Sequence, residues 1–81
     1  DLAFEMAGIF YDLGYYRDAV QFFQHSVTFG GNSTDAYYNT ALCYYQLRED
    51  ELFADTVKEA KAAFPDFEQF AHLDKLDLNA E

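Results

Sequence analysis

Apolar residues in this chain recur at steps of three and four, the period of a helix rather than of a strand. From Leu2 to Leu13 they are dense: Leu2, Ala3, Phe4, Met6, Ala7, Ile9, Phe10, Tyr11 and Leu13. That density predicts a helix over 2–13 that is covered on most sides. Gly14 ends it, since glycine takes the positive φ of a helix C-terminus without a Cβ clash. In the stretch GYYRDAVQFFQHS, residues 14–26, the side chains of Tyr16, Ala19, Phe23 and Ser26 form one stripe. Large and small residues alternate along it, so a neighbouring helix can approach closely. The stripe predicts a second helix over about 17–29, stopped by Gly30-Gly31.

Asn32, Ser33 and Thr34 offer N-cap chemistry for a third, aromatic-rich helix over about 34–47. Arg48, Glu49 and Asp50 make a polar turn, and acids there suit the start of a fourth helix. That helix runs to about residue 63, with Phe53, Val57, Ala60 and Phe64 on its apolar side. Pro65-Asp66 restarts the chain, and Asp66 with Gln69 three later has the pattern of a capping box. A fifth helix is predicted over about 67–76, carrying Phe67, Phe70, Ala71, Leu73 and Leu76, and the tail 77–81 is expected to fray. Strand-like alternation is absent from the sequence. Five helices with short connections predict an all-α fold of antiparallel hairpins.

Sliding the chain against itself by thirty-four residues brings Phe4 onto Tyr38, Ala7 onto Ala41, Phe10 onto Tyr44 and Tyr11 onto Tyr45. Leu13 meets Leu47, Ser26 meets Ala60 and Gly31 meets Pro65. A helix–turn–helix unit of that length has the period of the tetratricopeptide repeat, and the sequence resembles that family residue by residue. In the first unit Ala7, Phe10, Tyr11 and Gly14 stand at its first-helix and turn sites. Tyr16, Ala19, Phe23 and Ser26 occupy its second-helix signature, and Gly31 falls where the closing proline often stands. In the second unit Tyr37, Tyr38, Asn39, Ala41, Tyr44, Tyr45, Ala60 and Pro65 match. Ala3 departs from the family's first large aromatic. Arg48, Asp50 and Phe53 depart from the usual glycine, aromatic and alanine, and Phe53 is expected either to splay its two helices or to fill a gap.

The resemblance implies a short right-handed solenoid: one repeat over about 1–33, a second over about 34–67 and a capping helix over about 67–77. Two repeats fall short of the three or more expected of a free-standing stack. The chain is therefore expected to be a piece of a longer array or a module that associates with something.

The family holds extended or helical peptides in a concave surface made by the first helices. The resemblance places Asp1, Phe4, Gly8, Tyr11, Asp12, Asp35, Tyr38, Leu42, Tyr45 and Gln46 on that surface, with Gln69 and His72 added by the cap. Phe4, Tyr11, Tyr38, Leu42 and Tyr45 are suitable apolar anchors, because aromatic rings bring large area at small entropic cost and attract cations. Asp12 and Asp35 beside them favour a partner peptide carrying Lys or Arg. None of these positions is Lys or Arg, which argues against the family's carboxylate-clamp subclass.

Composition narrows the remaining possibilities. One proline, four glycines and 51% hydrophobic residues indicate a folded chain rather than a disordered one. Fifteen acids against five bases give a net charge of −10, which repels nucleic acid and anionic membranes and favours a basic or apolar protein partner. Apolar runs are too short to span a membrane. A further expectation is a structural role, in which Leu2, Phe4 and Ile9 at the exposed end of the stack pair with another copy or with missing repeats. An appended regulatory module on an enzyme would fit the same sequence.

Candidate chemistry is sparse. Cys43 is alone, so it forms no internal disulfide, and a buried inert thiol is expected at its position on a helix. His72 follows Glu68 by four residues, but two ligands do not close a metal site, and His25 is expected on the outer side of its helix. Lys58 and Lys61 with Glu51, Asp55 and Glu59 make a solvated helix face. With no phosphate loop, nucleophile–base pair or paired carboxylates, no cofactor and no enzymatic activity are expected.

Overall fold

The computed structural model describes residues 2–29 and 33–73. The chain is all-α, with helices α1 (Leu2–Asp12), α2 (Tyr16–Phe29), α3 (Ser33–Leu47), α4 (Asp50–Ala63) and the short α5 (Phe70–Leu73), and no strand among the described residues. Each helix packs on the one before it, and α5 also reaches α3. The assembly measures 33 × 29 × 16 Å, so it is about two helices thick. The expected stop at Gly30-Gly31, the Asn32 cap, Asp1 and the stretch from residue 74 onward lie outside the described residues.

The two hairpin turns are the same structure, thirty-four residues apart. At the end of α1 the N–H of Tyr15 donates to Phe10 O (2.9 Å) and that of Gly14 to Tyr11 O (3.0 Å). At the end of α3 the N–H of Glu49 donates to Tyr44 O (3.0 Å) and that of Arg48 to Tyr45 O (3.2 Å). Both are Schellman closures, which satisfy carbonyls that a helix end leaves orphaned. The residue at the left-handed position is Gly14 in the first, at φ 85°, and Arg48 in the second, at φ 60°. The following helices start alike, with Ala19 N–H donating to Tyr15 O and Phe53 N–H to Glu49 O, each at 2.9 Å.

Two apolar clusters form the core. The first joins Ala7, Ala19, Val20 and Phe23 with Ala36 and Cys43, and Phe4, Phe10, Tyr11 and Tyr16 pack against it. The second joins Ala41, Phe53, Val57, Ala60, Phe70 and Leu73. α3 serves both, and its buried residues Ala36, Thr40, Ala41 and Cys43 are all small. Small side chains there let helices approach it from two sides while its tyrosines spread into the half-buried margins. Phe53 fills the second cluster, with its ring 6.1 Å from that of Tyr45.

Two local expectations are corrected. α1 is not covered on most sides: Ala7 is its one buried residue, while Leu2, Ile9 and Leu13 lie largely in solvent. The fifth helix starts at Phe70, not 67, because residues 65–69 form turns closed by i→i+3 bonds, among them Phe67 N–H to Phe64 O at 3.1 Å. Asp66 and Gln69 therefore do not bracket a helix start. Tilted ring contacts of Phe67 and Phe64 with Phe70, at 4.9 and 6.4 Å between centroids, hold α5 instead. At the start of α4 Asp50 and Glu51 lie in the first turn, and Glu49 makes no side-chain cap bond. Its carboxylate accepts from the Arg17 guanidinium at 2.7 Å, tying the two turns together on the surface, where such a pair contributes below about 1 kcal/mol.

Candidate functional site

Phe4, Gly8 and Tyr11 recur along α1 at the spacing at which Tyr38, Leu42 and Tyr45 recur along α3, and all six are half-buried. Each ring is partly spent on packing. Phe4 meets Phe23 edge-on at 5.6 Å, and Tyr11 meets Tyr16 edge-on at 5.2 Å. Tyr38 and Leu42 pack against the second cluster. Gln46 of α3 hydrogen-bonds the Tyr11 hydroxyl and so links the two first helices directly. Burial pushes the Tyr11 phenol above its usual range, nearby Cys43 adds to the rise, and the Gln46 bond opposes it. The phenol therefore stays a neutral hydrogen-bonding group at any physiological pH.

Asp12, in the last turn of α1, and Asp35, in the first turn of α3, are exposed, as are Gln46, Gln69 and His72. The structure adds one group that the sequence did not single out for this surface. The guanidinium of Arg48 lies 5.8 Å from the centre of the Tyr45 ring, so the cation-accepting face of that ring is already engaged from within the chain. The spacing of three residues along a helix end that turns left-handed at Arg48 is the signal that could have found it.

The described cavities have other linings. One, of about 480 Å³, lies between α1 and α2 and is bounded by Leu2, Ala3, Met6, Gln21, Phe22 and His25. Another, of about 320 Å³, is walled by Tyr37, Thr40, Thr56 and Glu59 together with Gln24, Val27 and Thr28. Recurrence of Leu2, Ile9 and Leu13 at steps of seven and four marks the end face beside the first cavity, but the sequence shows the same density on every side of α1.

No family model, curated protein or solved structure matches this chain. What it does must be argued from its own surfaces.

Cys43 is fully buried and its thiol is pushed up to about 12 by that burial, so it is held protonated and unreactive. Among the described residues no three His, Cys, Asp or Glu side chains gather as a metal site would require. No helix among them is long and apolar enough to cross a membrane. Exposed His25 lies against Phe29 with the rings tilted 48° and centroids 4.8 Å apart.

Proposed function

We propose that this chain is a non-enzymatic protein-interaction module of the tetratricopeptide kind, and that the face built by α1 and α3 binds a peptide or helix of apolar and basic character. One observation carries the reading: two equally spaced apolar stripes, each still half open to solvent, lie on equivalent faces of α1 and α3 and are bridged by Tyr11 and Gln46. An apolar anchor of the partner buries against Phe4, Tyr38, Leu42 and Tyr45. Asp12 and Asp35 select the basic residues beside it. Micromolar affinity, about −8 kcal/mol, is ordinary for a contact of this kind. The reading calls for no cofactor and no metal.

Peptides selected from a random display library on the full chain test it. Binders should pair an apolar anchor with Lys or Arg, and Tyr38→Ala and Asp35→Lys should each weaken them about fivefold or more while helicity is kept. Affinity that neither substitution changes rules out this face.

A further inference from the structure

The cavity of about 320 Å³ is bounded by three successive helices, α2, α3 and α4, and so lies within the described fold rather than at either end of it. Its floor is polar. Thr40 and Thr56 are both buried there, whereas the positions thirty-four residues earlier hold Met6 and Phe22. The repeat therefore does not call for hydroxyls at this place, and larger apolar side chains would fill it. The chain keeps a cavity and a polar floor instead, and both cost stability. The Thr40 hydroxyl shows the cost most plainly: it is shut off from solvent and has no hydrogen-bond partner among the described residues. Thr28, which also lines the cavity, donates its hydroxyl to Gln24 O of its own helix at 3.1 Å, and Thr40 makes no such bond. Threonine in a helix divides between two χ1 rotamers, so rotation about that bond brings the Thr40 oxygen to the cavity in place of its methyl.

The other lining groups fix the chemistry of an occupant. Glu59 is exposed and, as a carboxylate, only accepts. Thr28 has spent its proton on Gln24 O, and Gln24 has turned its amide nitrogen to the Tyr44 hydroxyl at 3.3 Å, so both offer oxygen acceptors. No Lys, Arg or His stands among the described residues that line the cavity. Acceptors thus outnumber donors, one of them is charged, and the chain as a whole carries a net charge of −10. Val27 and half-buried Tyr37 add an apolar wall. The complement is a compact cation rich in N–H donors and carried on an alkyl stem.

We propose that the cavity between α2, α3 and α4 binds a primary alkylammonium group. The threonine oxygens take its N–H donors, Glu59 balances its charge, and its stem lies along Val27 and Tyr37. A free aliphatic amine and the lysine side chain of a partner both offer that group. The site makes no use of Tyr38, Leu42 or Tyr45 and does not depend on the α1/α3 face.

The probe is n-butylammonium, which is an aliphatic amine and also a lysine side chain cut at Cα. Titrated into the full chain labelled at its Thr and Val methyls, it should shift the NMR signals of Val27, Thr40 and Thr56 saturably, with half-saturation below about 5 mM. 1-Butanol, of equal size but uncharged, should bind about tenfold more weakly or worse. Thr40→Val and Glu59→Gln should each weaken the amine about fivefold or more. Neither acts through unfolding, since Glu59 is exposed and removal of an unpartnered buried hydroxyl raises stability. Tyr38→Ala should leave the titration as it was, which separates the site from the α1/α3 face. Nα-acetyl-lysine methylamide tells the two sources apart: binding as tight as that of the bare amine assigns the cavity to a partner's lysine, and its exclusion assigns it to a free amine. No saturation by about 50 mM amine, equal binding of butanol, indifference to either substitution, or shifts centred on Asp12 and Asp35 overturns the proposal.

Discussion

Gly14 and Arg48 occupy equivalent left-handed positions, so substitution should act on them in unequal ways. A Cβ built on Gly14 meets no atom within 4 Å, and its φ is 85°. Gly14→Ala therefore costs backbone conformation alone, with no steric clash added. A left-handed L-residue costs about 1–2 kcal/mol. Loss of unfolded-state freedom on replacing glycine returns about 0.4–1 kcal/mol. A net destabilisation of about 1 kcal/mol follows, and for a domain of this size that lowers the Tm by about 4–8 °C. At Arg48 the penalty is already present, so Arg48→Gly relieves it. The relief is offset by the lost stacking on Tyr45, about 0.5–1 kcal/mol at an exposed site, leaving that variant within about 0.5 kcal/mol of the parent. Urea unfolding followed by circular dichroism measures both. Equal losses in the two variants would refute the equivalence of the turns, and a neutral Gly14→Ala would refute the left-handed closure itself.

Two further outcomes follow from the core. The Thr40 hydroxyl is buried with no hydrogen-bond partner among the described residues, so Thr40→Val should stabilise the fold by about 1 kcal/mol, seen as a higher urea midpoint. Cys43 has an ordinary value of 9.0 and is pushed up to about 12 in the fold, so the folded chain keeps a proton that the unfolded chain loses first. The thiol's contribution is complete below pH 9 and is lost as pH rises toward 12, amounting to about 1.4 kcal/mol by pH 10. Cys43→Ala should flatten that part of the stability profile, and an unchanged alkaline slope speaks against a buried neutral thiol.

Much of the fold was legible along the chain because its signals are local. Helical period, glycine at a turn and the thirty-four-residue recurrence all concern residues within a few positions of one another or a plain self-comparison. The stripe of Tyr16, Ala19, Phe23 and Ser26 identifies a packing face for this reason: its large and small members fit only a close neighbour, and the last three are buried. The candidate site was less legible. Phe4, Tyr11, Tyr38 and Tyr45 could be placed on the first helices, but not divided between core packing and open surface. Aromatic side chains serve both, and their rings point wherever a partner ring such as Phe23, Tyr16 or Phe53 allows.

What the sequence determined by itself is the all-α class and the positions of the four long helices, set by backbone period and by the φ preference of Gly14; the equivalence of the second turn, with Arg48 at the left-handed position, came from the structure. What only tertiary structure decided is which apolar residues are covered. Ile9 and Cys43 occupy equivalent positions in equivalent helices, yet one is largely in solvent and the other is wholly buried. Nothing in either helix makes that difference. It arises because α2 covers the Cys43 side of α3 while no described residue covers the Ile9 side of α1, and burial depends on the neighbour that excludes water rather than on the side chain.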